Sequence, residues 1–172
     1  LLPGHVAVVL GLAPFAFLAE EFGRPAVVGG FEPADILSAL CLMIEMLRRG
    51  KPEVRNTYTR AVSREGSPQA RRIMDMVFRV TDARWRGLGN IPDSGLALRE
   101  EWKQYDALER LGLALGESGH IPGCRCGDIL RGALTPDKCP LFGRTCTPQN
   151  PTGPCMVSTE GSCAAWYRYR GV

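Results

Sequence analysis

The sequence predicts an α/β chain in two parts: a parallel-sheet β-α domain followed by a small cysteine-rich domain. Three observations predict it. Short β-branched runs alternate with helical periodicity between His5 and Leu47, as in strands joined by helical crossovers. Six of the seven cysteines lie between Cys124 and Cys163. A stretch with four glycines, Gly112 to Gly123, separates the two regions. The boundary is therefore expected near residue 112, giving domains 1–112 and 113–172.

The elements follow in order. His5 to Leu10 is apolar and β-branched and reads as a buried strand ended by Gly11. Pro14 suits the first turn of a helix running to about Phe22, closed by Gly23. Ala26-Val27-Val28 reads as a second strand, ending in Gly29-Gly30. Pro33 then suits position N1 of a long helix, with Glu32 and Asp35 at its positive end. Ile36, Leu37, Leu40, Ile44 and Leu47 recur at helical spacing, and Gly50 stops the helix. Cys41 within it reads as a small core hydrophobe. Val54 to Val62 reads as a strand. Ser67-Pro68 opens a helix with Ala70, Ile73, Met74, Val77 and Phe78 inward. Residues 82–98 read as turn-rich and Glu100 to Leu111 as helical.

Ligands of parallel sheets gather at the carboxyl ends of strands. Gly11, Gly29, Gly30 and Glu32 are expected there. A phosphate loop is rejected, because no Lys-Ser/Thr follows the glycine pair and acidic residues already occupy the helix end. Glu32 and Asp35 taken alone read as helix capping. His5 and His120 have no ligand partner three or four residues away and read as structural or solvated.

The tail is organised by its cysteines: Cys124, Cys126, Cys139, Cys146, Cys155 and Cys163. Proline and glycine interleave with them, and large apolar side chains are few. Such a segment needs cross-links or an inorganic centre to hold one shape. Three centres compete. Six cysteines allow 15 disulfide connectivities. Structural zinc usually takes C-x₂₋₄-C pairs, and no C-x-x-C occurs. An iron–sulfur cluster takes four thiolates and tolerates irregular spacing. Spacing favours the cluster, leaves disulfides and zinc open, and does not choose which four cysteines would bind it.

Composition narrows the classes. The 172 residues carry a net charge of +3 and are 45% hydrophobic, enough for a normal core. No basic stripe interleaves with aromatics, so nucleic acid is not expected. No apolar run reaches bilayer length, so no membrane span is expected. There is neither a secretory signal nor a starting methionine. We read the sequence as a fragment of a cytoplasmic protein, where clustered cysteines bind metal or do redox work.

Several motifs together resemble one family. Pro3-Gly4-His5-Val6, Gly30-Phe31-Glu32-Pro33-Ala34-Asp35-Ile36-Leu37, Trp85-Arg86-Gly87-Leu88-Gly89 and Ile91-Pro92-Asp93-Ser94-Gly95-Leu96 are similar to HypD, a maturation protein of nickel–iron hydrogenases. In the tail, Cys124-Arg125-Cys126-Gly127, Cys139-Pro140-Leu141-Phe142-Gly143, Cys146-Thr147-Pro148, Gly153-Pro154-Cys155-Met156 and Gly161-Ser162-Cys163-Ala164 match in order and spacing. The resemblance implies the second of two similar α/β domains, followed by a cysteine-rich domain with a [4Fe–4S] cluster. It implies a scaffold for the Fe(CN)2CO unit, working with HypC and with HypE, which delivers cyanide. It implies a metallocofactor assembly and redox protein rather than a conventional enzyme.

Carried over position by position, the resemblance implies cluster ligands at Cys124, Cys139, Cys146 and Cys163. Cys126 and Cys155 are then a redox pair, similar to the arrangement in ferredoxin–thioredoxin reductase. It places His5, Glu32 and Asp35 in cleft motifs of undefined role. The family's Cys-Gly-x-His-x-His and Cys-Pro-x-Cys motifs do not occur in this sequence. Thr57 and Glu45-Met46 also depart from the common pattern. The alternative is a non-catalytic binding module whose tail is stapled by zinc or disulfides.

Overall fold

In the computed structural model, residues 1–113 and 121–170 are described. His120 and most of the 112–123 boundary stretch lie outside them. By internal contacts the chain divides into two compact units, Leu1–Val77 and Phe78–Val172. That division falls earlier than the glycine-rich stretch at which the sequence suggests one.

The first unit is built on a three-stranded parallel sheet, β1 (Leu2–Pro3), β2 (Ala26–Gly29) and β3 (Val54–Asn56), in that spatial order. Leu2 pairs with Val28, and Val28 with Asn56. All four β2 residues are buried. Successive strand side chains point to opposite faces, and both faces are covered. Val28 packs with Ala7 and Val62, and Val27 with Ala39 and Met46.

His5 to Leu10 is not a strand. It is helix α1 (Gly4–Leu10), and the first strand is only the dipeptide before it. Three valines and a leucine raise β propensity, but Ala7 is fully buried against Val28 and tertiary packing overrides the local preference. The expected second helix splits into a 3-10 turn, Ala13–Phe15, and α2 (Phe17–Glu20).

Helix α3 (Pro33–Arg49) forms as its signals require: Pro33 at N1, and Gly50 in the left-handed conformation at its end. Its orientation is the surprise. Asp35, Ala39 and Met46 are buried, whereas Ile36, Leu37, Leu40, Ile44 and Leu47 are exposed. Cys41 is exposed as well, which corrects its reading as a core residue.

The strand expected over residues 54–62 stops at Asn56. The Asn56 side chain turns the backbone there, accepting from Tyr58 N at 2.8 Å and donating to Val62 O at 2.8 Å. Helix α4 (Pro68–Val77) starts where predicted, with Ser67 Oγ accepting from Ala70 N. Ile73 on it is exposed rather than inward, and Phe78 belongs to the next strand.

The second unit opens with an antiparallel hairpin, β4 (Phe78–Trp85) and β5 (Gly89–Leu98), where the sequence suggested only turns. A register shift between Thr81 and Ala83 accommodates the irregular alternation. A 3-10 segment, Glu100–Tyr105, and α5 (Ala107–Arg110, capped by Asp106) replace the single helix expected there. The tail then folds as short helices: α6 (Cys126–Leu130), α7 (Pro154–Val157) and α8 (Ser162–Arg170). None of the helices among the described residues is long and apolar enough to cross a membrane.

Candidate functional site: a strand-end ion pair and a buried cysteine cluster

The carboxyl edge of the parallel sheet gathers the first group. Gly4 and His5 follow β1, Gly30 to Glu32 follow β2, and Thr57 to Arg60 follow β3. Arg60 grips Asp35 with both ends of its guanidinium, Nη1 to Oδ1 at 2.7 Å and Nη2 to Oδ2 at 2.6 Å. Its Nη2 also lies 3.5 Å from Glu32 Oε2. The guanidinium sits over the Tyr58 ring, 4.5 Å from its centroid.

Tyr58 in turn needs two glycines. A Cβ on Gly4 would come within 2.6 Å of the Tyr58 ring, and one on Gly30 within 2.9 Å of it and inside the Asp35 carboxylate. The ends of β1, β2 and β3 are thus packed around one ring and one ion pair. The hydrogen bond from Arg60 holds the Asp35 carboxyl below its usual range. Among the described residues Asp35 is the buried charged one, and a forked guanidinium is the partner best suited to it.

The structure brings Glu32 and Asp35 together through Arg60, which sequence reading missed. It also separates their roles, since Asp35 is buried and Glu32 exposed. His5 is exposed and stacks on Phe31, centroids 5.3 Å apart. The acidic first turn of α3 signalled only that a cation was wanted there; which residue supplies it depends on β3 ending at Asn56.

The second group is the cysteine tail. Cys126, Cys139, Cys146, Cys155 and Cys163 are all buried in one core cluster, with Ile129, Met156 and Ala164. Cys124 packs against it and is partly exposed. The turn at Gly143 closes one loop of the cluster, with Cys146 N donating to Leu141 O at 2.9 Å. Thr152 N donates to Cys146 Sγ at 3.3 Å. Gly153 presses on the first loop: a Cβ there would lie 2.7 Å from Cys124 Sγ.

Cys155 is central. Its thiol donates to Cys163 Sγ at 3.1 Å, and the free Cys126 thiol is near enough to act on its titration. It therefore meets both its expected redox partner and an expected cluster ligand. The Cys163 contact drives the Cys155 thiol far above the usual range, and burial adds to this. Burial pushes the Cys126 thiol up to about 11, with the Arg86 charge opposing. Burial raises Cys124 too.

Five buried cysteines with Cys124 packed against them supply at least the four thiolates that a cubane cluster requires, so the donor set fits that group in number and chemistry. Among the described residues, no three His, Cys, Asp or Glu side chains are grouped to hold a single metal ion. That is a different geometry, because one ion draws every sulfur to about 2.3 Å, whereas a cubane binds each thiolate at its own iron.

Comparison with known proteins decides the family. The family model described as "HypD: Hydrogenase formation hypA family" matches residues 1–170. The chain belongs to the HypD family. It is 46% identical over 97% of its length to the hydrogenase expression/formation protein HupD of Azotobacter chroococcum. It is 45% identical over 97% to the hydrogenase maturation factor HypD2 of Bradyrhizobium diazoefficiens, and 41% over 97% to the hydrogenase maturation factor HypD of Cupriavidus necator. In each case the chain spans 44% of the relative's length. The HypD membership expected from the motifs is thereby shown, and with it a chain about half the length of these relatives.

Proposed function

We propose that this chain is the cluster-bearing portion of a HypD-type hydrogenase maturation protein. The observation that carries this is the cluster of five buried cysteines with Cys124 packed against it, in a chain whose residues 1–170 match the HypD family model. In this reading Cys124, Cys139, Cys146 and Cys163 hold a [4Fe–4S] cluster, which when bound supplies one-electron chemistry. Cys126 and Cys155 are then left to cycle between dithiol and disulfide, two electrons and two protons at a time. Hydrophobic walls of Ile129, Leu141, Met156 and Ala164 exclude water from the sulfurs.

The wider role is assembly. The full protein serves in the cytoplasm as a scaffold on which the Fe(CN)2CO cargo is built, with a HypC-type chaperone and a HypE-type cyanide donor as partners. In this reading His5, Glu32 and Asp35 belong to cleft motifs of the full protein; Arg60 bonds Asp35 and lies beside Glu32. The cargo iron needs a soft ligand, which a thiolate supplies.

Anaerobic reconstitution tests the core of this reading. The protein should turn brown and take up about four iron and four sulfide per chain. Serine at Cys124, Cys139, Cys146 or Cys163 should lower the loading, while serine at Cys126 or Cys155 should spare it. A colourless protein that takes up zinc stoichiometrically and no iron would establish the stapled binding module instead. For the assembly role, the chain joined to the part of its relatives that it does not span should restore hydrogenase processing in cells lacking HypD. Failure of that longer chain to do so would refute the role.

A further inference from the structure

The hairpin turn between β4 and β5 touches the cysteine centre. Gly87, at φ +88°, lies so close to Cys126 that a Cβ there would be 3.3 Å from its sulfur. The Gly87 carbonyl presses on the Gly127 Cα, where no side chain would fit. Next to it, Arg86 Nη2 reaches Thr152 O at 3.5 Å, in the loop that carries Gly153 and Pro154. The turn therefore rests on both cysteine loops, Cys124–Gly127 and Thr152–Cys155.

Between turn and loops is a cavity of about 40 Å³ lined by Arg86, Gly87, Ile121, Cys124, Cys126 and Pro154, with Gly127. Its chemistry is specific. Two of the six tail sulfurs border it; Cys139, Cys146, Cys155 and Cys163 do not. Arg86 is exposed at its rim, and among the described residues no carboxylate pairs with it. By contrast, the nearby Arg125 and Arg131 are both spent on Asp128. The volume is ample for a water-sized group, and the Arg86 rim leaves the cavity open to a small solute.

We infer that this cavity is the entry port of the cysteine centre, and that Arg86 selects small anionic disulfides, bearing a carboxylate or sulfonate, for exchange at Cys126, or at Cys124 when no cluster is bound: the protein sulfur bonds one half of the disulfide, and the other half leaves as a thiol with the proton the protein gives up. The inference rests on the reading of the tail as a redox centre. Its test measures labelling rather than iron, so the two can fail separately. A charge at the rim acts on the encounter, as an unpaired cation steers anions to a cleft.

The test uses two methanethiosulfonate reagents of similar size, the anionic sulfonatoethyl and the cationic trimethylammonioethyl compound. Each forms a disulfide between its own sulfur and the protein sulfur; methanesulfinate leaves and the thiol proton passes to buffer. The reaction is run anaerobically on the cluster-free chain carrying Cys41→Ser, which removes the exposed thiol outside the tail. Peptide mapping should find the first label at Cys124 or Cys126. The anion should react about tenfold faster than the cation, with the ratio falling towards one in about 1 M salt. Arg86→Gln should abolish the preference and Arg86→Lys should keep it.

Equal rates for the two reagents, a first label at Cys139, Cys146, Cys155 or Cys163, or a preference that survives Arg86→Gln would each overturn the inference. Should Arg86→Gln fail to fold, the unmodified Arg86 chain still decides, because a preference insensitive to salt overturns it as well.

Discussion

Arg60 holds Asp35 in a two-pronged grip, 2.7 and 2.6 Å, across 25 residues of sequence. The relationship ties the end of β3 to the start of α3 at the carboxyl edge of the sheet. Asp35 is nearly buried, 8% exposed, while the Arg60 side chain is about half exposed. Removing the carboxylate frees an arginine that water can reach. Removing the arginine strands a carboxylate that water cannot.

The first prediction follows from that asymmetry. Arg60→Gln should lower the thermal midpoint more than Asp35→Asn does, and Arg60→Lys should restore only part of the loss, since an ammonium cannot fork. Thermal melts of the three variants followed by circular dichroism check the order. Equal losses for Arg60→Gln and Asp35→Asn would show that the pair is not buried as described.

The second prediction is the pH dependence of the same pair. The Asp35 carboxyl titrates below its usual value in the folded state because Arg60 bonds it. Its stabilising contribution is therefore fully present above the unfolded value, about 3.9. It is lost as pH falls through the lower folded value. Acid melts should show a steeper loss below about pH 4 in the parent than in Asp35→Asn. Parallel acid limbs for the two proteins would count against the linkage.

How far the sequence could show this is instructive. Pro33, Gly50 and Ser67-Pro68 marked α3 and α4 because caps are local signals. The buried β2 was legible because four consecutive apolar or small residues must be covered on both faces. The Arg60 grip was not legible, because Asn56 ends β3 early and so places Arg60 in a loop that sequence patterning read as strand. The hairpin over residues 78–98 was hidden by Gly89, Pro92 and Gly95, residues depleted in strands, and by its register shift. The six cysteines announced one centre, but their contacts with Gly87 and Gly153 depend on loop closure that spacing does not encode.

The third prediction uses one of those contacts. Gly153→Ala places a methyl 2.7 Å from the present Cys124 sulfur and 3.6 Å from the Cys126 Cβ. Both must shift. If Cys124 holds the proposed cluster, iron loading should fall as it does for a ligand variant, while far-UV circular dichroism stays near that of the parent. Full loading would remove Cys124 from the ligand set or show that the loop yields freely.

The fourth prediction ranks thiol reactivity in the cluster-free chain. Cys41 is exposed on α3 and should be alkylated first by iodoacetamide at neutral pH. Cys126 should be slow, both because it is 2% exposed and because its thiol is pushed up to about 11. The thiolate is the nucleophile, so its rate should climb about tenfold per pH unit towards that value. Mass mapping after short pulses checks the order, and modification of Cys126 ahead of Cys41 at pH 7 would contradict the burial.

The last prediction separates the two faces of α3. Its apolar residues are distributed so widely that periodicity alone nominates Leu37, Leu40, Ile44 and Leu47 as readily as Ala39 and Met46. The choice is made by Val27, which presents one small patch that Ala39 and Met46 fill, both under a tenth exposed. Met46→Ala should open a cavity there and cost about 2–5 kcal/mol. Ala39→Leu should overpack the same patch at about 1–3 kcal/mol. Leu40→Gln and Ile44→Lys, at positions 41% and 56% exposed, should stay within about 0.5 kcal/mol of the parent. They should also raise solubility, because they break a contiguous apolar surface. Denaturant titration of the four variants checks the ranking. A large loss at Leu40 or Ile44 with little at Met46 would mean that the helix is turned the other way on the sheet.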